Sequence, residues 1–382
     1  MSLIRLLFLA SDFPPAVGGI QTYLVGLCRA LAEAGQELVV LSVAHDGDAA
    51  HDDSVPYEVV RVPRGSKAAV AREMGHVARG IAGSGRCDAV VAGKWFLEGP
   101  VAVSLARTLD VPSVLMGYGN EFTLHGANAA KAAVQRQVLR SVDVALAISH
   151  YTAGELVRGG TDPDRTHVIG AGVRPEALGC DVADVEALRR RLGIGDEKVI
   201  LTVGRLVARK GHQTIIRALR VIRAAVGPVR YVIVGAGPNE AHLRRVVQRR
   251  HPEDNIVTWA GLMPEAELPA YYHLCDLFAM TSRQVRGQPV EGLGLVYLEA
   301  NACGKPVLGA DTGGVSDAIE QEENGLLIAP GDIPSCAAAA IKILGNPEYA
   351  AAMGQRGRER VEREFLWRHV AERFMRALTS RA

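Results

Sequence analysis

The sequence predicts an α/β protein of two doubly wound domains, each a parallel sheet with helices on both faces. Three observations predict it. Short, almost uninterrupted apolar runs bounded by Gly, Pro or Asp recur along the chain and read as strands buried on both sides. Segments of helical period separate them, the order expected of parallel strands joined by crossovers. The alternation then halts and starts afresh after Gly193-Ile194-Gly195, and a chain of 382 residues has room for more than one core.

The first strand is expected in LIRLLFLA at residues 3–10. That run is interrupted by Arg5 and leads into Asp12-Phe13-Pro14-Pro15, so it lacks the apolar core and small-residue cleavage site of a secretory leader. Gly18-Gly19 then open a helical pattern reaching Leu31. ELVVLSVA (37–44), AVVAG (89–93), SVLMGYG (113–119) and VALAIS (144–149) supply the other strands of the first half. Val70, Met74, Val77 and Ile81 recur at the spacing of a core-facing helix; with Arg72 and Arg79 on the same segment, peripheral contact with a membrane surface is the alternative.

Residues 170–196 show no strand pattern but carry Pro175, Gly179 and Gly195, which places a linker at 172–182 and the first domain at 1–176. VILTVGRL (199–206), YVIVGAG (231–237), NIVTWAG (255–261), LFAMTS (277–282), PVLGAD (306–311) and GLLIAP (325–330) give the strands of a second domain, 177–360. Residues 348–378 are again helical, with Met353, Val361, Phe365, Val370, Phe374 and Leu378 at the apolar positions, and 361–382 form a terminal helix.

Composition excludes several classes. With 43 basic and 42 acidic residues the net charge is +1, so no global field favours nucleic acid. No stretch approaches the roughly 18 apolar residues of a membrane span, and the expected location is cytoplasmic. Cys28, Cys87, Cys180, Cys275, Cys303 and Cys336 are scattered without CxxC or zinc spacing and read as reduced, mostly buried thiols.

The densest chemistry lies in VEGLGLVYLEANACGKPV at residues 290–307. Gly292 and Gly294 allow a tight turn and close approach to a ligand, and the amides of Gly292, Leu293, Gly294 and Leu295 at the opening of a helix favour an anion such as phosphate. Glu291 precedes those amides and Glu299 lies more than a turn inside the helix, so the two reach different parts of one extended ligand. Ionised carboxylates only accept hydrogen bonds, which suits sugar and ribose hydroxyls. The bland alternative is a pair of solvated helix-end acids.

Arg205 and Lys210 follow Gly204 after the strand VILTVGRL, five residues apart in a strand-to-helix loop. A forked guanidinium and a point-charge ammonium suit a diphosphate that gains charge as it leaves. Gly18-Gly19 follow the first strand and bring amides that can approach a phosphate or an acceptor. Val234-Gly235-Ala236-Gly237-Pro238 lacks the full dinucleotide fingerprint and its downstream acid, and reads as a turn of a nucleotide-binding domain. Ser149 reads as a turn or capping residue. Arg189 to Arg191, with Arg244, Arg245, Arg249 and Arg250, read as solvated helix faces, while Arg283 and Arg286 lie in a loop before Glu291 that can rim a site.

Together Pro14-Pro15, Gly18-Gly19-Ile20, the VGRLVARKGH run, VGAGP and the Glu291/Glu299 pair resemble the retaining, nucleotide-sugar-dependent glycosyltransferases of family 4, and the likeness extends along most of the chain. ARKGH with VEGLGLVYLEA looks most like the phosphatidylinositol mannoside mannosyltransferase branch. The resemblance implies a GT-B fold, two Rossmann-like domains facing across a cleft, with the terminal helix returning to the first. It implies transfer of a hexose from a GDP- or UDP-linked donor with retention. In that reading Arg205, Lys210 and the amides at 292–295 hold the diphosphate, Glu291 the donor sugar and Glu299 the ribose. Neither cofactor nor metal is expected, since the nucleotide sugar is a substrate, no DxD-like pair suggests a divalent site, and Arg205 and Lys210 can do a metal's electrostatic work. The acceptor stays open between a phosphatidylinositol mannoside, a glycan, an aminocyclitol and a small thiol, and so does the oligomeric state.

Two stretches depart from the family pattern. Tyr118-Gly119-Asn120-Glu121 stands where the family writes HGxE, so a phenol replaces a donor-contacting histidine; His125 is a nearby substitute left outside the catalytic set. Gly170-Ala171-Gly172-Val173-Arg174 stands in place of Asn-Gly-Val-Asp near the domain junction. The competing readings are a nucleotide-sugar epimerase, an NAD-dependent oxidoreductase, which the missing fingerprint disfavours, and a non-catalytic nucleotide-sugar-binding protein.

Overall fold

The computed structural model describes residues 3–380 except 17, 84, 86, 120–128 and 253–254. The chain divides into two compact units, one of Met1–Gly172 with Trp367–Ala382 and one of Val173–Leu366. The divisions fall at 172/173 and 366/367, where sequence pattern suggested 176/177 and 360/361.

Among the described residues the first unit holds a parallel sheet of β1 (Arg5–Leu9), β2 (Glu37–Val43), β3 (Glu58–Val62), β4 (Ala89–Ala92), β5 (Ser113–Gly117), β6 (Val144–Ala147) and β7 (Thr166–Val168), in the order β3-β2-β1-β4-β5-β6-β7. The apolar runs indicated five of these. β3 and β7 are the two sheet edges, only partly buried, and so carry no continuous apolar run.

The helix Trp367–Thr379 completes this unit. Its Phe374 ring stacks 6.1 Å from Phe8 of β1, and Trp367 meets Tyr23 edge-on at 5.2 Å. Gly26 makes room for that indole, since a Cβ there would lie 2.2 Å from it. The expected single run of helix over 348–378 is broken at Phe365 and Leu366 into Pro347–Glu364 and Trp367–Thr379, and Leu366 forms an isolated bridge with Val173.

The second unit holds β8 (Lys198–Val203), β9 (Val229–Val234), β10 (Val257–Gly261), β11 (Leu277–Met280), β12 (Val307–Ala310) and β13 (Gly325–Ile328), all parallel, in the order β10-β9-β8-β11-β12-β13. Every run indicated by the sequence became a strand. The helix His212–Val226 buries Ile215, Ile216, Leu219 and Ile222 on the sheet, where they meet Tyr231 and Ile233 of β9. The order of connection reverses between β8 and β11. Loops leaving the carboxyl ends of two such strands diverge, and the crevice between them is where open α/β sheets bind ligands.

All six cysteines are free; Cys28, Cys275 and Cys336 are buried, while Cys87, Cys180 and Cys303 are only partly so. Among the described residues no helix is long and apolar enough to cross a membrane. In the helix Lys67–Gly83, Val70 and Met74 are buried in the first-unit core with Val77 and Ile81 packed beside them.

Candidate functional site

The loop after β8 begins at Gly204, passes through the exposed Arg205, and tightens into a 3-10 turn, Ala208–Lys210, ahead of the helix His212–Val226. Gly211 ends that turn in the left-handed region, φ 74°, with its Cα so near β11's exit that a Cβ would lie 1.7 Å from the Thr281 carbonyl oxygen. Only glycine fits there. Thr281 Oγ1 donates to the Gly211 carbonyl at 2.9 Å, and Arg283 donates from its backbone to Arg209 (2.7 Å) and from Nε to Ala208 (3.1 Å). The loops of the two switch strands are thus fastened together, and Arg283 braces the turn.

Two cations converge on Glu291. Lys210 Nζ lies 2.7 Å and Arg209 Nη1 3.1 Å from the same oxygen, Oε2, with Ser282 Oγ at 3.4 Å. All three charged side chains are only 10–12% exposed. Burial pushes the Glu291 carboxyl up, but Lys210 and Arg209 outweigh it and hold the group below its ordinary value. One negative and two positive charges leave this cluster with an excess of one positive charge, in surroundings where charge is weakly screened. The Glu291 backbone is fixed from β12: Gly314 N–H donates to its carbonyl at 2.9 Å, and Gly313, φ 61°, lies so close that a Cβ would sit 2.1 Å from that oxygen.

Gly294, φ 91°, caps the helix Leu295–Ala302. A Cβ at Gly294 would lie 2.5 Å from the ring of Tyr297, whose hydroxyl donates to the Met280 carbonyl of β11. This pins the helix start beside the switch, and its first amides have no acceptor within the helix. Glu299 sits one turn on and accepts a hydrogen bond at Oε2 from the Tyr272 hydroxyl. Burial raises the Glu299 carboxyl, Tyr272 opposes it, Glu265 adds to it, and the group stays above its ordinary value.

The glycines of VGAGP serve the same loop. A Cβ at Gly235 would lie 2.1 Å from the Gly204 oxygen and one at Gly237 2.5 Å from the Leu206 oxygen, while Leu206 N–H donates to Ala236 at 3.0 Å. They carry the backbone that presents Arg205. The exposed Arg205 side chain makes no hydrogen bond or ion pair with a described residue, and Lys210 Cε would lie 3.9 Å from a Cβ at Gly204. His212 is buried, its ring nitrogens 3.2 Å from Tyr231 Oη and 3.5 Å from the Arg205 carbonyl oxygen. Burial, then the charge of Lys210, lowers its pKa to about 4.

The second unit therefore gathers Gly204, Lys210, Glu291, Gly292, Leu293, Gly294 and Leu295 at one switch point, with Arg205 on the rim and Glu299 a helical turn away. Sequence reasoning did not single out Arg209. Its signal was adjacency to Lys210, but only the 3-10 turn shows that both side chains reach one carboxylate. Tyr272 was also missed.

Gly18 and Gly19 lie in the first unit, where Gly18 precedes the helix Gly19–Glu33; a Cβ at Gly19 would meet nothing within 4 Å. Tyr118 is buried, its ring edge-on to Tyr23 at 5.5 Å; Asn120, Glu121 and His125 lie outside the described residues. Ser149 caps the helix His150–Gly159 by accepting from Thr152 N–H. The Gly170 carbonyl accepts from Tyr23 Oη at 2.8 Å, and Gly172 packs against Trp367. Arg190, Arg191, Arg244, Arg245, Arg249 and Arg250 are exposed, and Arg189 is partly so. Among the described residues no group of three or more His, Cys, Asp or Glu side chains is placed to hold a metal ion.

The family model described as Glycosyltransferase Family 4 matches residues 17–177, and that described as Glycosyl transferases group 1 matches residues 184–360. The GDP-mannose-dependent alpha-(1-6)-phosphatidylinositol monomannoside mannosyltransferase of Mycolicibacterium smegmatis is 31% identical over 98% of this chain and 98% of its own. The chain belongs to glycosyltransferase family 4. A second family 4 relative, the GDP-mannose-dependent monoacylated alpha-(1-6)-phosphatidylinositol monomannoside mannosyltransferase of Corynebacterium glutamicum, is 30% identical over 98% of both chains. Among solved structures, Anabaena Alr3699/HepE in complex with UDP has a TM-score of 0.83 at 20% identity over 99% of this chain and 100% of that one. Sucrose-phosphate synthase from Thermosynechococcus elongatus has a TM-score of 0.77 at 23% identity, again over 99% and 100%. The family 4 chain thus has the GT-B fold, and its class is glycosyltransferase.

Proposed function

We propose that the protein transfers a hexose, with mannose from GDP-mannose the first candidate, onto an acceptor with retention at the anomeric carbon. The observation that carries this reading is the convergence of Arg209 and Lys210 on Glu291 at the β8/β11 switch, a compact site with an excess positive charge. Mannose and GDP are favoured because relatives at 30–31% identity over nearly the whole chain are GDP-mannose-dependent; a UDP-linked donor is the alternative, as in the HepE complexes.

In this reading Lys210, Arg205 and the amides at 292–295 bind the diphosphate. Arg209 shares the work by keeping Glu291 ionised and in place. As the bond from C1 to the β-phosphate oxygen breaks, negative charge grows on the diphosphate, and fixed cations stabilise that charge more than the starting state. The acceptor nucleophile bonds to C1 on the face the diphosphate leaves, and its proton passes to a departing phosphate oxygen. Glu291 holds donor-sugar hydroxyls and Glu299 the ribose. The family resemblance alone gives Gly18 and Gly19 a phosphate or acceptor contact. Two relatives are named for a phosphatidylinositol monomannoside acceptor, so a lipid-linked glycoside at a membrane surface is the first acceptor class to try.

The test is incubation of the protein with GDP-mannose or UDP-glucose and a mannosylated phosphatidylinositol, following nucleoside diphosphate release and product linkage. An α-linked product made only with acceptor present is expected. Interconversion of the free donor without acceptor would favour an epimerase, and binding without turnover on any acceptor class a non-catalytic binder.

A further inference from the structure

We infer that Tyr272 is a positioning residue for the nucleotide: by taking one oxygen of Glu299 it directs the other toward the ribose and makes the site selective for ribose over deoxyribose. This rests on the ribose role proposed above for Glu299.

Tyr272 is fully buried on the helix Leu268–Leu274. Its ring packs 5.9 Å from Phe278 of β11, and Phe278 in turn meets Tyr297 edge-on at 5.6 Å. The backbone around it is tied down as well: Cys275 Sγ donates to the Tyr272 carbonyl at 3.3 Å, and Lys305 Nζ to the His273 carbonyl at 2.9 Å. The phenol oxygen is therefore a fixed point, and its hydroxyl donates to Glu299 Oε2.

Oε1 takes no hydrogen bond from a described residue, so the carboxylate is half satisfied by the protein. Burial and the neighbouring Glu299 hold the phenol well above its ordinary value, so it stays a donor and never competes as an anion. A glutamate on an open helix face samples several rotamers; with Oε2 held, the direction of Oε1 is set before ligand arrives, which lowers the ordering cost of binding. A site built to accept from a hydroxyl discriminates strongly against a ligand that lacks it, because the acceptor is then left unpaired.

The experiment is a calorimetric cycle on the full chain with GDP and UDP, each also as its 2′-deoxy and 3′-deoxy form, comparing the unchanged protein with Tyr272→Phe. Phe keeps the ring packing and removes only the hydroxyl. Tyr272→Phe is expected to weaken the ribose nucleotide by about tenfold, the scale of a hydrogen bond to a charged group. It is expected to weaken the deoxy form lacking the contacted hydroxyl by less than about twofold. Equal weakening of ribose and deoxyribose forms, or none, overturns the inference while leaving the nucleotide reading intact. Failure of both GDP and UDP to bind the unchanged protein overturns the nucleotide reading and the inference with it. If Tyr272→Phe does not fold, 3-fluorotyrosine at 272 carries the same comparison: a change in affinity confined to the ribose forms supports the inference, and an equal change in all forms overturns it.

Discussion

Lys210 Nζ and Arg209 Nη1, 2.7 and 3.1 Å away, share a single oxygen of Glu291, so one buried carboxylate organises two cations from a neighbouring loop. In the proposed mechanism the pair does two jobs: it keeps Glu291 ionised, and Lys210 meets the departing diphosphate.

Lys210→Ala is expected to lower turnover by about 10²–10³-fold, the scale of one lost transition-state contact, or roughly 3–4 kcal/mol. Arg209 still compensates Glu291, so the stability loss in urea should stay below about 2 kcal/mol. Near-normal turnover would remove Lys210 from leaving-group stabilisation. Because the Glu291 carboxyl is depressed, its contribution is present above the unfolded value of 4.5 and is lost as pH falls through the lower folded value. Without Lys210 the folded value rises, and the acid unfolding midpoint should move to higher pH.

His212 sets a second pH limit. Its folded pKa, about 4, lies below the 6.5 of the unfolded chain, so between those values the unfolded state binds the extra proton and stability falls as pH falls. The loss across that window is on the order of 3 kcal/mol. His212→Gln should flatten the stability profile between pH 6.5 and 4 relative to the unchanged protein, and an unaltered slope would contradict a buried, neutral imidazole.

Gly211 fastens the cation-bearing turn to the exit of β11. Gly211→Ala forces a side chain into a left-handed position and a carbonyl contact of 1.7 Å, so the turn must move. Stability should fall by more than about 2 kcal/mol. Nucleotide affinity should fall too, because Arg209 and Lys210 move with the turn. Unchanged affinity in the folded fraction would separate the turn from the site.

Trp367 fills the space left by Gly26 and Gly172 in the first unit. Trp367→Ala should cost about 3–5 kcal/mol of unfolding free energy as a large buried ring is lost. If Arg205, Lys210 and Glu299 of the second unit carry most of the nucleotide binding, as proposed, nucleotide affinity should change by less than twofold in the folded protein.

The sequence pattern carried most of the second unit because the six strands among its described residues are apolar runs ending in turn residues. Glu291 and Glu299 stood out in the sequence as acids around a Gly-x-Gly turn, and the structure places Glu291 at the switch and Glu299 within the helix that follows. β3 escaped because Arg61 and an exposed Glu58 interrupt its apolar residues at the sheet edge, and β7 because three residues show no period. Arg209 escaped because nothing in periodicity says where the side chains of a 3-10 turn point. Tyr272 escaped because it meets Glu299 across 27 residues of chain, a contact that depends on how one helix packs beside another. Gly235 and Gly237 read as a nucleotide-domain turn; the contacts add that their task is close packing beneath Arg205.

The most direct measurement is thermal stabilisation by GDP-, UDP-, ADP- and TDP-sugars of the unchanged protein, Arg205→Ala and Glu299→Ala. A bound ligand raises the melting temperature with its affinity and concentration. A rise with one nucleotide sugar, GDP-mannose first, is expected in the unchanged protein and is expected to be largely lost in both variants. No rise with any of them, or an equal rise in the unchanged protein and both variants, would contradict a nucleotide-sugar site at the β8/β11 switch.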